Sequence, residues 1–137
     1  MSLDTLQKHA VEPRPGWQYA WYNTWQPFDH QVEQNALAMC DARSLAAGDI
    51  INYRYTGYIT EKNKEGGLVA APVFNPAHRW YYYSAMQTNE VLLSKQLDKR
   101  EGKASLCPHT SFIDSSVADS VPPRRSVEMR LLAVFET

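Results

Sequence analysis

The sequence is poor in the features that mark several large classes of protein. Its 137 residues include two cysteines, Cys40 and Cys107, too few for a disulfide framework and typical of reduced thiols. The 15 acidic residues nearly balance the 14 lysines and arginines, so a net charge of −1 offers no basic surface for nucleic acid. No apolar run approaches the roughly 20 residues that a membrane-spanning helix needs. We therefore predict neither a nucleic-acid nor a membrane partner.

The first residues also lack a recognisable secretion signal. The segment MSLD at residues 1–4 has no basic region and is not followed by an apolar one, so we expect a cytoplasmic protein. Residues 1–16 are polar and carry Pro13, Pro15 and Gly16, which predicts a flexible lead-in. The remaining residues, 17–137, have the length of a single domain.

The sequence after this lead-in favours strands over helices. Helical periodicity never persists for more than about three turns, whereas aromatic-rich and alternating segments recur throughout. The strands are predicted at 17–25, 36–40, 50–60, 68–74, 79–83, 90–97 and 126–135, with one more segment ending at Phe112. We expect a helical turn over 44–47 capped by Asp41, and a hairpin tip over 61–67. The predicted fold class is therefore mainly β, a sandwich or barrel with short helical turns.

The last predicted strand alternates most cleanly. Val127, Met129 and Leu131 fall on one face, and Glu128 and Arg130 begin the other. This period of two indicates a strand with one apolar face.

Two histidines lie in segments where chemistry is plausible. His78 precedes the run of Trp80 and three tyrosines in NPAHRWYYY, where a pocket rim and a hydrogen-bonded wall residue are equally good interpretations. His109 stands 15 residues before Arg124, and Ser126 follows at the start of the last strand. A histidine that holds a metal, with a guanidinium and a hydroxyl that hold a 2-oxo acid, would suit this order. A solvated loop arginine is the alternative, and spacing alone favours it.

Six motifs, in order, carry a resemblance to a known family. They are NTWQP (23–27), ALAMCDARS (36–44), NPAHRWYYY (75–83), NEVLL (89–93), HTSFID (109–114) and RRSVEMR (124–130). Because of them, the region from about Trp17 to Phe135 resembles the C-terminal half of the AsaB-type hydroxylase/desaturase family, also called CmcJ/NvfI-like. The resemblance implies a partial double-stranded β-helix (a jelly-roll or cupin-like fold) and a role in tailoring secondary metabolites.

The resemblance also implies where the family's iron chemistry would lie. Members use Fe(II) and 2-oxoglutarate, with two ligands from a His-x-Asp pair and a third from a downstream histidine. By motif that histidine would be His109, with His78 as competitor, and Arg124 and Ser126 would resemble the 2-oxoglutarate clamp. No His-x-Asp occurs in this sequence. Since a facial triad needs three protein ligands, we predict that the cofactors are lost and the pocket is kept.

A kept pocket predicts non-redox chemistry on a hydrophobic terpenoid or polyketide. Placed hydrogen-bond donors and a shaped cavity suffice for cyclisation, including Diels–Alder addition, and for isomerisation or dehydration. The predicted catalytic residues are His78, His109, Arg124 and Tyr81, and the predicted substrate-binding residues are Trp25, Trp80, Tyr83, Met86 and Ser126. Two alternatives stay open: an Fe(II)/2-oxoglutarate hydroxylase/desaturase with iron on His78 and His109, and a non-catalytic partner subunit of a full-length oxygenase.

Half a jelly roll would leave open sheet edges, which aggregate unless they are paired or covered. We therefore expect a homodimer. Its two copies would share sheets or face their pockets together.

Overall fold

Strands dominate the described part of the chain. The structure is a computed structural model that describes residues 15–56 and 67–136. The strands within these ranges are β1 (Gln18–Pro27), β2 (Leu37–Cys40), β3 (Ile50–Tyr55), β4 (Gly67–Pro72), β5 (Trp80–Tyr82), β6 (Leu92–Asp98), β7 (His109–Ser111) and β8 (Ser126–Phe135). The one helical segment there is a 3₁₀ turn over Ala42–Ser44. The predicted mainly β class is confirmed.

Most predicted strands occur where expected but with different ends. β4 ends at Pro72, two residues earlier than predicted, and the Val73 N–H still donates to the Asp49 carbonyl, at 2.7 Å, in the register of the β3–β4 pair. β6 starts two residues late because the Glu90 N–H closes a turn on the Gln87 carbonyl, at 3.1 Å. At the start of β6 a local backbone hydrogen bond therefore competes with strand pairing.

The helical turn lies earlier than we predicted. It occupies Ala42–Ser44 rather than 44–47, with Asp41 at the N-cap as expected. The Asp41 carboxylate accepts hydrogen bonds from the backbone N–H and the Nε of Arg43, at 3.0 and 2.9 Å, so the turn begins directly after the cap. These bonds lower the pKa of Asp41 to about 2. A separate turn follows over 46–49, where Gly48 has a φ of 91°.

The strands pair in three groups within the described ranges. β6, β1 and β8 form one antiparallel sheet in that order, and β1 pairs with β8 along all ten residues of each strand. β5, β2 and β7 form a second, shorter antiparallel sheet, and β3 pairs with β4. A bulge between Trp21 and Tyr22 interrupts the β1–β6 register. The β1–β8 ladder is therefore the longest and most regular pairing among the described strands.

Apolar residues from both three-stranded sheets meet in one buried cluster. Trp25 of β1 packs with Val32 and Met86, and Leu37 of β2 and Leu92 of β6 pack against them. Trp25 is 6% exposed, and its large indole dominates the cluster. This core joins the first sheet to the second.

Some predictions fall outside the described residues. The lead-in over 1–16 lies there except for its last two residues, and so does nearly all of the predicted hairpin tip at 61–67. β3 and β4 pair antiparallel from Ile50 opposite Pro72 to Tyr55 opposite Gly67, as a hairpin requires. Among the described residues, no helix has the length and apolarity to cross a membrane.

Candidate functional site

A cavity of about 590 Å³ opens beside β7. This volume lies within the range of small-molecule sites. Residues of β3 to β7 and of the segment before β7 line it, and most of its wall is apolar. The apolar wall includes Ile50, Tyr53, Val69, Pro72, Trp80 and Leu106. The polar residues Gln96, His109 and Thr110 also line it.

The environment of His109 determines which ring nitrogen carries the proton. β7 pairs with β2, and His109 lies opposite Met39. The His109 Nδ1 lies 2.9 Å from the Cys107 carbonyl oxygen. A carbonyl oxygen only accepts hydrogen bonds, so in the neutral ring Nδ1 carries the proton and Nε2 keeps its lone pair. Nε2 is therefore the ring atom that can take a proton from a molecule in this cavity.

Cys107 lines the same cavity but is a poor nucleophile. Burial raises the pKa of the Cys107 thiol, and a charge on Cys40 would raise it further. The thiol is therefore protonated near neutral pH, and nucleophilic attack requires the thiolate.

His78 is engaged in a buried network. Its Nε2 lies 2.7 Å from Asp49 Oδ2, and its side chain is 3% exposed. Asp49 also accepts from the Ala46 backbone N–H at 2.7 Å and from Asn75 Nδ2 at 3.3 Å. The hydrogen bond from His78, followed by the one from Ala46, holds the pKa of Asp49 below its usual value. The network ties the turn over 46–49 to the loop that precedes β5.

Trp80 lines a cavity with each of the two histidines. It lines the His109 cavity and also a cavity of about 350 Å³ that His78 lines with Phe74 and Asn75. The structure thus brings both predicted histidines next to one aromatic wall but in different cavities. Of the two, His109 lines the larger one.

The two residues of the predicted carboxylate clamp, Arg124 and Ser126, do not line the His109 cavity. Arg124 donates from Nη1 to the Asn35 carbonyl, and its guanidinium carbon lies 5.3 Å from the centroid of the Trp25 ring. Partial burial lowers the pKa of Arg124. Ser126 begins β8 opposite Pro27. Arg124 and Ser126 therefore lie near the end of β1, and their role as a clamp stays a prediction.

Trp25 differs from its predicted role as a cavity wall. Val32 and Met86 cover its indole, so it contacts protein in the core. Met86 is buried in the same cluster, but it also lines a cavity of about 510 Å³ together with Tyr83. Tyr81 and Tyr83 line a further cavity of about 310 Å³ beside Met39. The predicted pocket residues are thus distributed over several cavities.

Sequence reasoning missed the partners that decide these environments. Asp49 binds His78 across 29 residues, and no local pattern connects the two. Gln96 donates to Ser94 Oγ at 2.8 Å and lines the His109 cavity. A period-two pattern places these two residues of β6 on one face, and this is the signal that could have found Gln96.

Metal donors do not converge in residues 15–56 and 67–136. No group of three His, Cys, Asp or Glu side chains there could hold a metal ion. One nitrogen of His78 is bonded to Asp49, and one nitrogen of His109 faces a backbone carbonyl. A facial triad needs three converging protein ligands. The donor set of the described residues therefore does not fit Fe(II).

Comparison with known proteins now identifies the class and the family. The mainly β fold is a jelly roll of the type found in Fe(II)/2-oxoglutarate enzymes. Residues 5–135 match the family described as "Oxidoreductase/YMDC permease-like domain". The chain belongs to this family.

Individual relatives confirm the predicted resemblance to AsaB-type hydroxylase/desaturases. Hydroxylase/desaturase efuI of Hormonema carpetanum is 36% identical over 125 residues, covering 83% of this chain and 40% of that protein. Hydroxylase/desaturase asaB of Aspergillus flavus is 32% identical over 139 residues, covering 94% of this chain and 59% of that protein. The solved structure of the iron and alpha-ketoglutarate-dependent endoperoxidase NvfI matches with a TM-score of 0.71 at 26% identity, covering 84% of this chain and 40% of that one. This chain spans about half the length of such relatives.

Proposed function

We propose that the chain is a tailoring enzyme of secondary metabolism that rearranges a hydrophobic terpenoid or polyketide without redox chemistry. The membership of the family and the names of its relatives support a tailoring role. The observation that carries the proposal is the placement of His109 in the wall of the apolar cavity of about 590 Å³.

The cavity walls supply binding and orientation. Trp80 and Tyr53 offer flat apolar surfaces to a ring system, and Gln96 offers an amide that can hydrogen-bond a carbonyl. Desolvation of the substrate against these walls supplies most of the binding free energy. Holding a flexible chain in a reactive shape lowers the entropic part of the barrier.

His109 supplies the proton transfer. Its Nε2 accepts a proton from a carbon next to a substrate carbonyl, while Nδ1–H remains on the Cys107 carbonyl. The Gln96 amide stabilises the oxyanion that develops on the carbonyl. The protonated ring then returns the proton to another carbon, which gives an isomer, or to a departing hydroxyl, which releases water. No electron is gained or lost in either outcome.

A second candidate function is an Fe(II)/2-oxoglutarate hydroxylase or desaturase. The relatives named hydroxylase/desaturase, and phiK, named as an alpha-ketoglutarate-dependent dioxygenase, favour it. The donor geometry of the described residues weighs against it, as argued above.

Mass balance separates the two candidates. The purified chain is incubated with a panel of sesquiterpenoid and aromatic polyketide ketones and alcohols, once with EDTA and once with Fe(II), 2-oxoglutarate and air. We expect, under EDTA, a product that is isomeric with its substrate or lighter by one water. Succinate formation that requires this chain, or a product that gains oxygen or loses two hydrogens, would overturn the proposal.

The matched control is His30→Ala. His30 also places Nδ1 at 2.9 Å from a neighbouring backbone carbonyl, that of Gln31, but it does not line the His109 cavity. We expect His109→Ala to abolish product formation and His30→Ala to leave it unchanged.

A further inference from the structure

β8 presents a long edge that is unusual in its lack of protection. It runs from Ser126 to Phe135 and pairs with β1 on one side, and within the described ranges no strand pairs with its other side. It contains no proline, and its ladder with β1 has no bulge. Such an edge offers a row of backbone N–H and C=O groups to a further strand.

The same strand also carries an exposed apolar face. Val127, Met129 and Leu131 are 48, 58 and 44% exposed, and Leu93 of β6 is 62% exposed. Leu93 and Met129 both lie opposite Thr24 of β1, so the four side chains share one face of the sheet. Their exposed area, on the order of 400 Å², is comparable with the largest apolar patch of a typical monomer, and such patches are often functional.

We propose that β8 pairs antiparallel with β8 of a second copy about a two-fold axis at Met129. The two three-stranded sheets would then join into one sheet of six strands. In this register Met129 faces its own counterpart, Glu128 faces Arg130 of the partner subunit, and Val127 faces Leu131 of the partner subunit. Opposite charges and apolar pairs both stabilise directly opposed positions.

Charge selects this register over its neighbours. A two-fold axis perpendicular to the sheet keeps the apolar faces of the two copies on the same side. Directly opposed residues of antiparallel strands also point to the same side. The register must therefore place one residue opposite its own counterpart at the axis. An axis at Glu128 would place two carboxylates opposite each other, and an axis at Arg130 would oppose two guanidinium groups. Like charges in directly opposed positions are destabilising. Only the axis at Met129 sets each charge against its opposite.

Glu128 is already held in a suitable position. Its Oε1 accepts hydrogen bonds from Arg130 Nε at 3.1 Å and from Asn23 Nδ2 at 3.2 Å. Its Oε2 is the oxygen that we assign to Arg130 of the partner subunit. Because the carboxylate is already positioned by two bonds, less side-chain entropy is lost when the second copy binds.

The interface is independent of the proposed function. The residues that line the His109 cavity belong to β3 to β7 and adjoining loops, and none lies on β8. Dimerisation therefore stands or falls separately from the chemistry at His109.

Light scattering after size exclusion, at micromolar concentration, tests the pairing on the full chain. We expect the wild type to be a dimer and Met129→Lys to be a monomer, because two ammonium groups would meet at the axis. The control is Leu93→Lys, which adds the same charge to the same face at the opposite edge of the sheet. Leu93→Lys should remain a dimer. A monomeric wild type would overturn the proposal, and so would equal dissociation of both variants, which indicates stacking of faces instead.

Charge exchange and cysteine cross-linking test the register and keep the proposal falsifiable if Met129→Lys does not fold. We expect Glu128→Arg to weaken the dimer at least tenfold, and the exchange Glu128→Arg with Arg130→Glu to restore it. Under mild oxidation Met129→Cys should form a covalent dimer, whereas Leu93→Cys and the wild type should not. Circular dichroism monitors folding throughout. Failure of the double exchange to restore dimerisation, with folding intact, would contradict the axis at Met129.

Discussion

His78 and His109 each line a cavity that Trp80 also lines, yet their surroundings differ in ways that separate structure from chemistry. His78 is buried and bonded to the carboxylate of Asp49. His109 is exposed to a cavity and contacts a neutral carbonyl through one nitrogen. A buried ionisable group needs a partner of opposite charge, whereas a group for proton transfer needs one nitrogen free. The role of a histidine in a sequence motif therefore depends on its hydrogen-bond partner, which the motif does not show.

The largest effect should come from His78→Ala. Its removal leaves the Asp49 carboxylate buried without its main partner, which is strongly destabilising. We expect the midpoint of thermal unfolding to fall by about 10 °C. Calorimetry measures this, with His30→Ala as the control that should shift it by less than about 2 °C. A midpoint that stays within that margin for His78→Ala would contradict the structural role.

The second effect concerns His109→Ala and should appear in turnover rather than stability. Loss of a general base typically lowers a rate by about 10² to 10⁴-fold. We expect product formation to fall at least about 100-fold while the unfolding midpoint moves by less than about 2 °C. A loss of stability as large as that of His78→Ala would erase the distinction between the two histidines.

Arg124→Ala should give a smaller effect on both measurements. It removes the cation–π contact with Trp25 and the hydrogen bond to Asn35, together worth about 1–2 kcal/mol. We expect a midpoint lower by a few degrees and turnover reduced less than tenfold. A loss of turnover equal to that of His109→Ala, at unchanged stability, would instead support the carboxylate clamp predicted by resemblance.

The smallest effect is the dependence of stability on pH. The pKa of Asp49 is lower in the folded protein than its value of about 3.9 in the unfolded chain. Its contribution is therefore fully present above that value and is lost as the pH falls through the folded pKa. We expect the midpoint temperature of unfolding to decrease as the pH is lowered below about 4. The decrease should be less steep in Asp49→Asn.

Asp98, the last residue of β6, is a second carboxylate to compare with Asp49. Its side chain is fully buried and accepts hydrogen bonds from Lys95 Nζ at 2.8 Å and from Arg100 Nη2 at 2.7 Å. The pKa of Asp98 is lowered, and the hydrogen bond from the Arg100 side chain is the largest cause. Asp98→Asn should therefore also flatten the acid profile. An acid profile that neither Asp49→Asn nor Asp98→Asn changes would contradict the assignment of these two carboxylates.

Local patterns in the sequence predicted the long strands well. The aromatic run before Pro27 and the alternation after Ser126 are β1 and β8, because a period of two is a property of consecutive residues. The same patterns misplaced the helical turn, since they do not show that Arg43 donates hydrogen bonds to the carboxylate of the Asp41 cap. They also did not show whether other parts of the protein cover the apolar face of β8.

Sequence alone therefore determined the strand content, the cap at Asp41 and the family, because each depends on neighbouring residues or on motifs in order. Tertiary structure decided the bond between Asp49 and His78, the placement of His109 in a cavity wall, and the exposure of Met129. These depend on which segments meet in space. Alternation puts Met129 on an apolar face, but only the packing of other strands determines whether anything covers that face.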